Sequence, residues 1–124
     1  MGSDPHFTTR TETRNGVARI ALSGKLDVAS VPVLKEPLTR FEDDGVSAIM
    51  LDLRDLTFID SAGLHAFLQA RTRAKANGHR LVFIRARAQT RRIFELTGTQ
   101  FLIDDQEAVS VLDQFAGSNV EVVG

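Results

Sequence analysis

The sequence predicts an α/β fold: one domain built on a mixed, mostly parallel sheet of about five strands, with an antiparallel N-terminal edge hairpin and about four packed helices. Three observations carry this. Strand-like and helix-like stretches alternate along most of the chain, which argues for parallel strands joined by right-handed crossovers. Ala48-Ile49-Met50-Leu51-Asp52-Leu53 is apolar at nearly every position, as a strand buried on both faces requires. Asn15-Gly16 between two short β-favouring runs is a hairpin signal. A chain of 124 residues has room for one domain with a real core, not two. Residues 8–115 are assigned to that domain. Residues 1–7 read as a flexible N-terminus and 116–124 as a tail with little to bury.

The elements follow in order. Thr8 to Thr13 carries almost no large apolar residue, so it belongs at a sheet edge. Val17 to Ser23 is the second strand, and Gly24-Lys25-Leu26-Asp27 reads as a turn. A helix starts with Ser30 as N-cap and Pro32 in its first turn. Leu34, Leu38 and Phe41 recur at helical spacing, and Pro37 predicts a kink or a frayed first turn. Asp43-Asp44-Gly45 ends that helix, and Ala48 to Leu53 is the third strand. The central helix runs from about Ala62 to Ala76, with Leu64, Phe67, Leu68 and Arg71 on one face and Ala66, Ala70 and Ala74 beside it. Asn77-Gly78 stops it. Leu81 to Ile84 is a fourth strand, and Ala88 to Leu96 a short helix with Ile93 and Leu96 inward. Phe101-Leu102-Ile103 is a last short strand. Asp104 to Phe115 is the final helix, with Asp104 and Glu107 as a capping box and Ala108, Val111, Leu112 and Phe115 as its core face.

Composition removes several classes of function. A net charge of −1 gives no global attraction to nucleic acid or to an acidic membrane. There is no cysteine, hence no disulfide framework or thiolate metal site, as suits a reducing cytoplasm. No apolar run approaches the ~20 residues of a membrane helix, and the N-terminus lacks the order of a signal peptide. His6, His65 and His79 are scattered, without the spacing of a zinc helix. No glycine loop for phosphate is present. No cofactor or metal is expected.

The informative stretch is Thr57-Phe58-Ile59-Asp60-Ser61-Ala62-Gly63-Leu64, where a buried strand hands over to a helix. A helix start offers unpaired N–H groups and a partial positive charge, a natural seat for a phosphate. Ser61 brings a hydroxyl to that seat. The plain reading makes Ser61 a helix cap. Asp60 already offers a capping carboxylate, and Gly63 in the first turn suggests close approach of another molecule to the backbone. A hydrolase reading of Asp60, Ser61 and His65 fails because Asp60 is poorly placed to orient His65, and no Gly-x-Ser-x-Gly elbow surrounds Ser61. The chain is therefore not expected to be an enzyme. His65 reads as a surface or interface residue. Arg85, Arg87, Arg91 and Arg92 form the one local basic cluster, read as a solvated helix face, with contact to an acidic partner or an anionic ligand as the second reading.

With these residues in view, the chain resembles a STAS domain, most closely the bacterial anti-sigma factor antagonists. The resemblance covers roughly residues 8 to 115. It rests on Leu22-Ser23-Gly24-Lys25-Leu26-Asp27, on Leu51-Asp52-Leu53 leading to Phe58-Ile59-Asp60-Ser61-Ala62-Gly63-Leu64, and on Arg92-Ile93-Phe94-Glu95-Leu96-Thr97-Gly98. It implies that Ser61 is phosphorylated by an anti-sigma factor with serine kinase activity. It implies that phosphorylation breaks the complex, and that a phosphatase acting on phosphorylated Ser61 restores it. It assigns partner binding to Asp27, Asp60, Ser61, Ala62 and Gly63, with no nucleic acid and no membrane insertion. Pro37 and His65 depart from the family pattern. Other STAS domains serve scaffolds and lipid or anion transport complexes, so a constitutive subunit without a phospho-switch is the alternative. A nucleotide-binding domain is a third possibility, at the same helix start.

Overall fold

A computed structural model describes residues 6–117. The elements are β1 (Phe7–Arg14), β2 (Val17–Leu26), α1 (Val31–Asp44), β3 (Ala48–Ile59), α2 (Ser61–Asn77), β4 (Arg80–Ile84), α3 (Ala88–Leu96), a 3-10 turn (Gln100–Leu102) and α4 (Glu107–Ala116). The sheet order is β1-β2-β3-β4. β1 pairs antiparallel with β2, and β2-β3 and β3-β4 pair parallel. Residues 1–5 of the expected flexible N-terminus (1–7) and 118–124 of the expected tail (116–124) lie outside the described residues.

Alternation of side chains along each strand divides the core into two layers. Ala18, Ile20, Leu22, Ile49, Leu51, Leu53, Leu81 and Phe83 face α1, α2 and α3. Val17, Ala48, Met50, Val82 and Ile84 face α4 alone, through Val111 and Phe115. This is why the first half of β3 is apolar at both parities. At the centre of the larger layer Phe67 is fully buried, with its ring centroid 4.9 Å from that of Phe83 and 6.3 Å from that of Phe94.

Several expectations need correction. The sheet has four strands among the described residues, because Phe101-Leu102-Ile103 is not a strand. Only Leu102 of that trio is buried, and the segment turns as a 3-10 helix between α3 and α4. Gly24-Lys25-Leu26 is not a turn but the end of β2. β3 does not stop at Leu53 but runs to Ile59. The register shifts twice, between Ala21↔Asp52 and Ser23↔Asp55 and again between Gly24↔Leu56 and Lys25↔Phe58, so the buried Leu53, Leu56 and Ile59 fall three apart and escape a period-2 reading. α1 continues through Pro37, which is buried. The carbonyl that Pro37 leaves unbonded is that of Val33, a residue 43% exposed. In α3 it is Phe94 that is buried, while Leu96 is 72% exposed, and in α4 Leu112 is exposed beside buried Val111 and Phe115. Asp104 caps nothing and pairs with Arg91, while Asp105 Oδ1 accepts the Glu107 N–H at 2.9 Å. β1 starts at Phe7, which is buried rather than loose.

Phe67→Ala is expected to lose about 3–5 kcal/mol, because the surrounding rings cannot close the space. Urea unfolding reads this as a lower midpoint at unchanged slope. A loss below about 1 kcal/mol would show that the layer does not depend on this ring.

Candidate functional site

The site is built by two parallel strands that end side by side. Leu26 of β2 pairs with Ile59 of β3, and the Asp60 N–H donates to the Leu26 carbonyl at 3.2 Å. The residues that follow, Asp27 and Asp60, therefore leave neighbouring strand ends together. α2 starts at that edge of the sheet. Gly63 sits in its first turn, buried against β2. A Cβ there would lie 2.7 Å from Ile59 Cγ1, 2.9 Å from Leu26 Cγ and 3.0 Å from the Leu26 carbonyl oxygen. The missing side chain of Gly63 thus serves close packing of α2 on the strands, and not the approach of another molecule from outside.

Asp60 is the N-cap of α2, and its Oδ1 accepts the Gly63 N–H at 3.0 Å. That bond settles the roles at the helix start. Ser61 is the first helical residue, exposed, and its hydroxyl makes no hydrogen bond among the described residues. Ser61 is not the cap. Ala62 is half-buried beside it.

Asp27 is held by a tight turn into α1. Its Oδ1 accepts the N–H groups of Ala29 and Ser30, each at 3.1 Å, and lies 3.0 Å from the Ser30 hydroxyl. Ser30, expected as a side-chain cap, is buried and makes no such bond. Its hydroxyl donates backward to the Lys25 carbonyl at 2.8 Å and accepts the Asp27 N–H at 2.9 Å. His6 closes the other side, with Nε2 3.3 Å from Asp27 Oδ1. Desolvation pushes the Asp27 carboxyl up, but the hydrogen bonds from His6 and Ser30 outweigh it and hold the group below its ordinary value. Gly24 lets His6 come this near. At φ +100 its absent Cβ would stand 2.0 Å from the His6 carbonyl, which accepts the Lys25 N–H at 2.8 Å.

Sequence reasoning gave no site role to His6, Val28 or Phe58, which stand at this edge. Val28 is 74% exposed directly after Asp27, and Phe58 is 42% exposed two residues before Asp60. An apolar residue left out of the 2-residue strand pattern beside an acidic strand end was the available signal. His65 is exposed one turn after Ser61. The arginines from 85 to 92 do not form one face. Arg85 faces Asp52 at 3.7 Å, Arg87 faces Asp55 at 3.8 Å, and Arg91 joins Asp104 and Glu95. No helix among the described residues is long and apolar enough to cross a membrane.

A small exposed surface with two carboxylates, a free hydroxyl at a helix start and an apolar rim has the makings of a protein-docking edge. Comparison with known proteins gives the class: residues 8–114 match the model of the STAS domain, and the chain belongs to that family. It sits with the anti-sigma factor antagonists. The "Anti-sigma-B factor antagonist" of Staphylococcus aureus (strain NCTC 8325 / PS 47) is 31% identical over 106 residues, 86% of this chain and 98% of that protein. The unphosphorylated form of the anti-sigma factor antagonist SpoIIAA superposes with a TM-score of 0.70 at 20% identity, covering 89% of this chain and 97% of that one. The phosphorylated form of the Bacillus cell fate determinant SpoIIAA gives 0.63 at 20% identity, covering 85% and 99%.

Two outcomes are expected from this geometry. Gly63→Ala should be net destabilising, because overpacking costs about 1–3 kcal/mol and the propensity gain of about 1 kcal/mol is reduced in a first turn. A raised thermal midpoint would contradict the packing role. For Asp27, a lowered folded-state pKa means stability that is present above the unfolded carboxylate value and lost as pH falls through the lower folded one. The stability advantage of wild type over Asp27→Asn should therefore shrink as pH falls through the acid carboxylate range. Parallel curves from neutral pH to pH ~2 would remove that linkage.

Proposed function

We propose that this chain is an anti-sigma factor antagonist that binds an anti-sigma factor with serine kinase activity, and that phosphorylation of Ser61 switches it off. The docking surface is formed by Asp27, Asp60, Ser61 and Ala62, with Gly63 holding the helix start in place. A phosphatase acting on phosphorylated Ser61 restores the binding form, in the cytoplasm. The chain itself performs no catalysis in this scheme; it is substrate and ligand.

The observation that carries this reading is the division of labour at the start of α2. Asp60 takes the capping bond, so the Ser61 hydroxyl stays exposed and unengaged. A cap hydroxyl tied to its own backbone would be a poor acceptor for a kinase. The names of the relatives support the partner class, and SpoIIAA is described in both unphosphorylated and phosphorylated forms.

The physics of the switch is local. Phosphoserine brings roughly −1.5 to −2 charges and three acceptor oxygens. The helix N-terminus stabilises such a group by about 0.3–1 kcal/mol, so the domain stays folded. The partner meets a dianion beside Asp27 and Asp60 where it had met a hydroxyl. Desolvating that dianion against two carboxylates opposes docking, and each ~1.4 kcal/mol lost weakens binding tenfold.

Incubation with the anti-sigma factor and ATP should label the protein at Ser61, and Ser61→Ala should abolish the label. Labelling at another residue would remove the site assignment. Ser61→Asp should lose binding to the unlabelled partner; full retention would instead support a constitutive module of a scaffold or transport complex.

A further inference from the structure

The far end of α2 carries a second constellation, unrelated to Ser61. Asn77-Gly78 ends the helix with Gly78 in the left-handed region, and the Ala74 carbonyl accepts both the Gly78 and His79 N–H groups, at 2.9 and 3.2 Å. That cap fixes where β4 begins. A cavity of ≈ 340 Å³ opens there, between the last turns of α2, the start of β4 and the first turn of α4. Ala74 and Leu81 form its apolar part. Arg71, Lys75, His79 and Arg80 stand on one side, and Asp105 and Glu107 on the other.

The charges around this cavity are not used up by one another. Arg71 lies over the Phe101 ring at 5.0 Å. Arg80 donates to two neutral groups of α4, Gln114 Oε1 at 2.6 Å and Ser110 Oγ at 3.4 Å. Lys75 forms no ion pair among the described residues. Among the described residues Asp105 Oδ1 accepts only the Glu107 N–H. Among the described residues His79 Nε2 is buried without a hydrogen-bond partner, which is unfavourable when nothing satisfies it. Opposite charges thus face each other across a space of small-molecule size without meeting.

We propose that this cavity binds a small zwitterion carrying an excess of negative charge, with an acidic amino acid as its chemical type. The ligand's carboxylates face Arg71, Lys75 and Arg80, and its ammonium faces Asp105 and Glu107. Three fixed cations against two carboxylates match a ligand of net charge −1. A bare multivalent anion fits less well, because it would stand before Asp105 and Glu107. α2 has 17 residues and spans about 25 Å, so the cavity lies at the end of the helix opposite Ser61. The assignment does not depend on the docking proposal.

The test is titration of the full chain, by amide NMR and calorimetry, with L-glutamate, glycine and inorganic phosphate. L-glutamate should give saturable shifts confined to residues around Lys75, His79 and Asp105. Lys75→Ala and Asp105→Asn should each weaken it about tenfold or more, with unchanged thermal midpoints. Phosphate binding as tight as that of glutamate, and untouched by Asp105→Asn, would overturn the zwitterion assignment. Absence of saturable shifts with all three probes would overturn the site.

Discussion

The structure depends on one constraint: β2 and β3 run parallel and finish together, with Leu26 beside Ile59 and the Asp60 N–H on the Leu26 carbonyl. Parallel strands need a crossover, so each returns through a helix packed on the sheet. Their common end is where the backbone ladder stops and the chain must leave. Both strands leave through an aspartate that binds the amides ahead of it. Asp27 takes Ala29 and Ser30, and Asp60 takes Gly63. The acidic edge is thus first a solution to unpaired backbone donors. Any role in recognition uses the lone pairs that remain. Gly63 completes the constraint, since a larger residue would lift α2 from Leu26 and Ile59.

The opposite layer shows the same economy in a different form. α4 covers only part of its face of the sheet, through Val111 and Phe115. Beyond it lies Asp52, 2% exposed in the middle of β3. A buried carboxylate is costly unless paired and hydrogen-bonded. Arg19 meets Asp52 Oδ2 at 3.1 and 2.6 Å, and Asp52 Oδ1 accepts the Arg54 N–H at 3.1 Å across the bulge. Arg85, the residue after β4, approaches at 3.7 Å, with φ +64, a left-handed conformation that a non-glycine residue adopts at a cost. The bulge and this ion pair occupy the same few residues. The Arg54 N–H that the bulge takes out of the ladder is satisfied by the side chain that Arg19 neutralises.

Much of this was legible in the sequence because local chemistry and tertiary position agree. Asn15 and Gly16 both take positive φ, as a two-residue hairpin demands. Gly45 and Gly78 end their helices in the left-handed region. The polar first strand lies at the edge, and Ala48 to Leu53 lies between β2 and β4 with buried faces on both sides. The misreadings share a cause. Phe101, Leu102 and Ile103 are apolar enough for a strand but have no strand to pair with, and apolarity alone does not create a neighbour. Leu96 and Leu112 fit an apolar helical face, yet α3 and α4 each sit on the sheet through fewer residues than that face contains. The second half of β3 was hidden because its two register shifts break the alternation that identifies a strand. At the site, Asp27, Asp60 and Ser61 were recognised by motif. His6 was not, since its place beside Asp27 follows from β1 pairing with β2 over a distance no local pattern reports.

The two ends of α2 differ in a way that follows from the parallel sheet itself. Strands β2 and β3 deliver their C-terminal ends, with Asp27 and Asp60, to the start of α2. β4 delivers its N-terminal end, with His79 and Arg80, to the finish of the same helix. The helix dipole sets a positive pole at Ser61 and a negative one near Asn77. A lysine side chain is accordingly stabilised in the last turn, where Lys75 stands. At the first turn Asp60 takes the Gly63 amide. An added phosphate at Ser61 would therefore find a favourable field from the helix and an unfavourable one from the two aspartates at the strand ends. The helix term acts within the domain, whereas the aspartate term grows when a partner excludes water and lowers the local dielectric. Under the proposed switch, that difference would let one covalent change leave the fold intact while altering what the edge can bind.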